Sequence, residues 1–181
     1  DERPDFLAYQ ALYGFGGFAN DKGRCLDDYN RWMRRNRKGL SLPVKTGHSW
    51  QQIISDHQAE FNAHPEYFAL VKGKRDVRNP IDDIPKLCVS NPAVVELCRQ
   101  WAREYFAKHP KEEMVSMDPS DYNGPVGHCE CDQCARIGTG TSSDKVFFLV
   151  NEVAREVAPL GKMVGCLAYE HHSDIPSFSL E

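Results

Sequence analysis

Leu87-Cys88-Val89-Ser90-Asn91-Pro92 and Met114-Val115-Ser116-Met117-Asp118-Pro119-Ser120-Asp121 enclose one amphipathic run, and reading these pieces together decides the fold class. Leu87-Cys88-Val89 is short and apolar, as a core strand is. Asn91 stands where an N-cap accepts a free backbone N–H, and Pro92 occupies the first helical position, where no N–H is needed. Val95, Leu97, Cys98, Trp101, Ala102, Tyr105 and Phe106 then recur at helical spacing until His109-Pro110. Met114 to Met117 reads as a second strand, followed at once by carboxylates and turn residues.

The same alternation extends in both directions. Toward the N-terminus, Tyr67 to Val71 reads as a strand entering a turn at Lys72 to Arg75. Gln51 to Phe61 reads as a weak helix, and Leu42 to Thr46 as a strand. Leu26 to Arg37 reads as a helix with Tyr29, Trp32 and Met33 on one face, and Phe6 to Tyr9 as a strand. Toward the C-terminus, Ser142 or Ser143 caps a helix to about Val157, with Val146, Leu149, Val150, Val153 and Val157 inward. Met163 to Ala168 is the last strand. Strands alternating with helices predict an α/β fold with parallel strands and crossover helices. Polar residues gather after the strands, at the edge where such folds carry their sites.

The chain has 181 residues, enough for a single α/β domain over 1–181. A complete (β/α)₈ barrel needs about 250 residues and eight strands. About five strands are legible, so the expectation is a partial, TIM-barrel-like segment of a longer protein, with exposed edges that invite a homo-oligomer. The opening Asp1-Glu2-Arg3-Pro4, without an initiator Met, fits a cut N-terminus.

Charge narrows the function classes. Lys and Arg number 22 against 26 Asp and Glu, a net charge of -4. A phosphate-binding surface needs a basic excess, so nucleic acid is not the expected partner. No stretch approaches the roughly 18 apolar residues of a membrane span. The glycines at 14, 16 and 17 lack dinucleotide-binding spacing, and neither a phosphate-binding loop nor a serine nucleophile elbow occurs.

Seven cysteines (Cys25, Cys88, Cys98, Cys129, Cys131, Cys134 and Cys166) are an odd number, so they cannot all pair within the chain. His128-Cys129-Glu130-Cys131-Asp132-Gln133-Cys134 lies in a polar, Cys-rich loop spanning 118–140. Three thiolates this close can converge on one tetrahedral metal such as zinc, with His128 or a distant Cys or His as fourth ligand. A loop disulfide with a free thiol, or three reduced cysteines, are the other readings. A catalytic metal is not expected, because three thiolates leave little Lewis acidity.

Three further groups follow strands. Asp118 and Asp121, with Tyr122, follow the Met114 strand; carboxylates there suit glycosidic bond hydrolysis, and they also suit turn chemistry. Tyr169, Glu170, His171 and His172 follow the last strand, which lets Glu170 face Asp118 or Asp121. Gly47, His48, Ser49 and Trp50 offer a hydroxyl contact in His48 and a stacking face in Trp50, or else a satisfied core histidine and a packed indole.

Trp32, Arg35-Asn36, His48-Ser49-Trp50, His64-Pro65-Glu66-Tyr67-Phe68-Ala69-Leu70, Gly73-Lys74-Arg75, Leu87-Cys88, Asn91-Pro92, Ser116 through Asp121 and the C-x-C-x-x-C cluster occur in an order that resembles the DUF4838 glycoside-hydrolase-like domain family of environmental and gut bacteria. That family includes enzymes of glycoside hydrolase family 163, which resemble endo-acting β-N-acetylglucosaminidases. The resemblance covers about Trp32 to Tyr169. It implies a TIM-barrel catalytic domain, a secreted or periplasmic location, and N-acetylglucosamine-containing glycans as substrates. It places the matching aspartate at Asp121 with Asp118 beside it, and Glu170 completes the candidate carboxylate set. Substrate-binding candidates are His48, Trp50, Tyr122 and Tyr169, and metal candidates are His128, Cys129, Cys131 and Cys134. Hydrolysis of this kind needs no cofactor; a structural zinc is the one group the cysteines suggest. The alternative function is a non-catalytic glycan-binding or structural module with the same loop.

Overall fold

The computed structural model describes residues 31, 32, 35, 45, 47–75, 85–120 and 128–180. The chain divides into two compact units, Asp1–Val44 and Lys45–Glu181. In the first, the described residues Arg31, Trp32 and Arg35 are helical, as the sequence predicts. The predicted strand at Phe6 to Tyr9 lies outside the described residues.

In the second unit the order is α1 (Ser49–Asp56), α2 (Gln58–Ala63), β1 (Leu70–Val71), β2 (Lys74–Arg75), α3 (Pro92–Lys108), β3 (Met114–Ser116), α4 (Asp132–Ala135), α5 (Ser142–Val157) and β4 (Met163–Gly165). Short 3-10 turns occupy Pro65–Tyr67, Ala158–Leu160 and Glu170–His172. β3 and β4 pair in parallel, Met114 opposite Met163 and Ser116 opposite Gly165, with α5 leading into β4. This is the predicted β-α-β crossover. The described residues form this one parallel pair and one hairpin, and they show no barrel.

The two long helices follow their sequence signals closely. The Asn91 side chain accepts the Ala93 N–H at 3.0 Å, and α3 runs from Pro92 to Lys108. α5 is capped one residue earlier than predicted: Thr141 Oγ1 accepts the Asp144 N–H at 3.1 Å. Val94, Val95, Cys98, Ala102 and Phe106 of α3 are buried, as are Val146, Leu149, Val150, Val153 and Val157 of α5, and the two helices pack on each other. Arg99 pairs with Glu152, and Arg103 with Glu156, across the rim of this contact.

The shorter segments depart from the reading. The predicted helix over Gln51 to Phe61 is two helices, broken at His57, whose backbone leaves helical values. Of the strand predicted over Tyr67 to Val71, only the end is a strand, and it enters the predicted turn. Those last two residues form the first arm of an antiparallel hairpin, Leu70 opposite Arg75 and Val71 opposite Lys74. Lys72 and Gly73 turn that hairpin with φ of 48° and 75°, the doubly positive pattern of a tight two-residue turn. Leu87-Cys88-Val89 contributes a single antiparallel bridge, Leu87 to Phe68. Gly165 has a structural reason: a Cβ there would lie 2.2 Å from the Lys45 carbonyl oxygen, so only glycine lets that backbone approach β4.

The C-terminal segment is tied down through Asp144 at the start of α5. Its carboxylate accepts the Ser177 N–H at 2.7 Å, and the Thr139 N–H and hydroxyl each at 2.8 Å. Burial alone would raise this carboxyl, but these donors hold it well below the usual carboxylate range. Among the described residues no helix is long and apolar enough to cross a membrane.

Candidate metal centre and the strand-end edge

Four cysteine sulfurs converge. Cys129, Cys131 and Cys134 come from the predicted loop, and the fourth is Cys88, on the turn that leads into α3. All four Sγ atoms lie within 4.8 Å of one another. Cys88 Sγ is 3.6 Å from Cys129, 3.8 Å from Cys131 and 4.0 Å from Cys134. A tetrahedral zinc with bonds of about 2.3 Å would space its sulfurs about 3.8 Å apart. A disulfide needs about 2.05 Å, and none joins the described cysteines. The four-cysteine group can therefore hold a metal ion.

Main-chain hydrogen bonding builds this group. The β1–β2 hairpin meets the loop through Glu130 N–H to Leu70 O and Lys72 N–H to Glu130 Oε2, at 2.8 and 2.7 Å. Leu70 N–H donates to Cys129 Sγ at 3.2 Å, and Cys134 N–H to Cys131 Sγ at 3.5 Å, where Cys131 caps α4. The Ser90 hydroxyl lies 3.0 Å from Cys134 Sγ and 3.6 Å from Cys131 Sγ. The Arg75 guanidinium holds the Phe68 carbonyl at 2.9 Å and reaches toward Cys129. N–H and guanidinium groups aimed at sulfur favour thiolates. Contacts with the Cys129 and Cys134 thiols hold the Cys88 thiol far below its usual range despite burial, while those with Cys129 and Cys88 push Cys134 up. Cys98 is different in kind: fully buried in α3 with no such partners, it is pushed up to about 12 by burial and packs as a small apolar side chain.

His128 does not belong to this group. Its ring meets Trp50 edge-on at 6.0 Å and His172 at 6.1 Å, and burial pushes it down to about 3. Cys88 takes the fourth place. Its sequence signal was a cysteine followed by Ser90 and a helix cap, a turn rather than the middle of a strand.

The sequence pattern described as a domain of unknown function (DUF4838) matches residues 21–180. The chain belongs to that family. No curated protein and no solved structure matches it. The DUF4838 match carries kinship and no activity, so the remaining candidates of this domain rest on their own geometry.

Asp118 is buried, 3 % exposed, and fully engaged. Gly47 N–H donates to its Oδ2 at 2.7 Å and Leu167 N–H to its Oδ1 at 2.6 Å. The Ser116 hydroxyl lies 2.9 Å from Oδ2 and 2.6 Å from the Gly47 carbonyl, so its one proton serves either. This carboxylate clasps the ends of β3 and β4 to the segment before α1. Trp50 is a core residue with 0 % exposure, its Nε1–H donating to the Met117 carbonyl at 3.1 Å. That corrects its reading as a stacking surface: an indole with no exposed face cannot stack on a sugar. His48 is exposed and donates from Nδ1 to the Pro119 carbonyl at 3.1 Å. Tyr169 is 50 % exposed, and Glu170 is exposed on the turn after β4 with a φ of 48°. Asp121 and Tyr122 lie outside the described residues.

Proposed function

We propose that this DUF4838 domain is a segment of a glycoside-hydrolase-like (β/α)₈ barrel acting on N-acetylglucosamine-containing glycans outside the cytoplasm, and that its four cysteines bind a structural zinc. The convergence of Cys88, Cys129, Cys131 and Cys134 carries the zinc reading. Four thiolates fill a tetrahedral zinc and leave no position for substrate, so the metal fixes the loop and takes no part in hydrolysis. One zinc per chain by elemental analysis is the expected result, and metal-free protein with a formed Cys–Cys bond would overturn it.

The hydrolase reading is supported by the parallel β-α-β unit and by the polar residues after its strands. Asp121 is assigned as acid, with Glu170 as the exposed second carboxylate and Asp118 holding the strand ends. In the substrate-assisted form of this chemistry, the acetamide attacks the anomeric carbon, one carboxylate orients it and the other protonates the leaving oxygen. Asp121→Asn in an active parent protein is expected to abolish release of N-acetylglucosamine-containing products with folding retained; unchanged turnover sinks the assignment. The engagement of Asp118 by its donors favours a second reading, a glycan-binding domain without hydrolysis, for which binding persists and no wild-type turnover is found.

A further inference from the structure

The C-terminal segment runs along α5 and leaves a groove beside that helix. Arg136, Ile137, Phe148, Asn151, Arg155 and Phe178 line it, and its volume is about 540 Å³. Small-molecule sites span about 300–1,000 Å³. The walls are fixed to one another. Asp144, at the start of α5, accepts from Thr139 on one side and from the Ser177 N–H on the other. Asn151 Nδ2 donates to the Ser179 carbonyl at 2.9 Å. Gly138 adds a close approach, since a Cβ there would strike Ser177 Oγ and the Asp144 carboxylate. A groove tied in this way needs little ordering when a ligand enters.

Apolar walls and a cationic rim give the groove its chemistry. Ile137, Phe148 and Phe178 are partly buried against the core, and each keeps apolar surface for the groove. Two guanidiniums stand among them, and among the described residues no carboxylate lines the groove. Arg155 is already paired with Glu152 at 2.7 Å. Arg136 ends α4, its backbone N–H bonded to the Gln133 carbonyl at 3.2 Å. Its side chain is exposed and makes no hydrogen bond or ion pair with the described residues. One positive charge is therefore left over, which matches a monoanion. A guanidinium fork takes both oxygens of a carboxylate together, and phenylalanine rings take a flat apolar body.

We propose that this groove binds a small aromatic monocarboxylate: Arg136 receives the carboxylate, and the ring lies against Phe148 and Phe178. None of the lining residues belongs to the sulfur group or to the candidate carboxylate set. The inference therefore stands whether or not the domain acts on glycans.

The test titrates the full chain with benzoate, benzamide, acetate and phenyl phosphate, read by NMR of the Arg136 Nε–H and the phenylalanine rings. Benzoate is expected to shift both sets of resonances and to saturate. Benzamide keeps the ring without the charge, and acetate keeps the charge without the ring. Each is expected to bind about tenfold more weakly than benzoate or less. Arg136→Gln should weaken benzoate about tenfold, the scale of one charge-assisted hydrogen bond. Phe178→Ala should weaken it as well. Unchanged thermal transitions show that the variants fold; if Phe178→Ala loosens the C-terminal segment, the exposed Arg136→Gln decides alone. Benzoate without effect overturns the site. So does benzamide or acetate binding as tightly as benzoate, or unchanged benzoate binding by Arg136→Gln. Tighter binding of phenyl phosphate than of benzoate overturns the choice of a carboxylate.

Discussion

The cysteine centre and the strand-end edge lie back to back, separated by the peptide bond between His128 and Cys129, and they are finished to different degrees. Around the sulfurs, polar groups reach in from four directions: the hairpin backbone at Leu70, the α4 backbone at Cys134, the Ser90 hydroxyl beside Cys131 and the Arg75 side chain. Only a cation is needed to complete it. At the strand ends, Asp118 is saturated while Ser120 Oγ and His128 Nδ1 have no partner among the described residues. One ion finishes the first region, whereas the second leaves two buried polar atoms unmatched beside a clasp that is already full.

Removing one sulfur is the strongest way to break this contrast. Cys88→Ser is expected to abolish stoichiometric metal binding and open the 128–140 segment to proteolysis, leaving the α3–α5 core folded. Structural zinc contributes about 10–16 kcal/mol in small zinc domains, so no other single change should match it. Limited proteolysis with metal analysis checks this; equal protection with and without zinc would make the centre dispensable.

Asp118→Asn comes next. One of its two backbone donors would face an amide NH₂, and about 2–3 kcal/mol of stability should be lost in urea unfolding. A change near zero would mean that the clasp does not hold the strand ends. Ser90→Ala should keep the metal but weaken it about tenfold, at the low end of outer-shell effects, as read by competition with a chromophoric chelator.

The smallest effect concerns pH. Burial holds His172 below its ordinary value. The unfolded chain therefore takes up a proton first as pH falls below about 6.5, and stability should decline from there downward. His172→Gln should flatten that part of the stability profile; an identical slope would mean that His172 is solvated.

Much of the helical framework was legible because its signals are local. Asn91-Pro92 and the spacing of apolar residues specify α3 within its own sequence, and the α5 boundaries differ from the reading only in which hydroxyl does the capping. The short strands were less legible. Tyr67 to Val71 has strand-forming composition, yet whether its partner is parallel or antiparallel depends on a turn and a neighbour elsewhere. The first three cysteines were visible as a cluster, but their fourth partner lies about forty residues earlier and is joined only by folding. His128 illustrates the same limit from the other side, since adjacency to Cys129 in sequence does not bring its ring into the sulfur group.

The sequence by itself determined family membership, the mixed α/β class, the two long helices and the presence of a thiol-rich loop, because each is written in contiguous residues or in their order. Only the tertiary structure decided that Cys88 completes the sulfur group, that Trp50 is core, that Asp118 is a clasp, and that Ser120 and His128 keep unpartnered atoms. Those outcomes depend on distances between segments far apart in the chain, which local propensity and spacing do not encode.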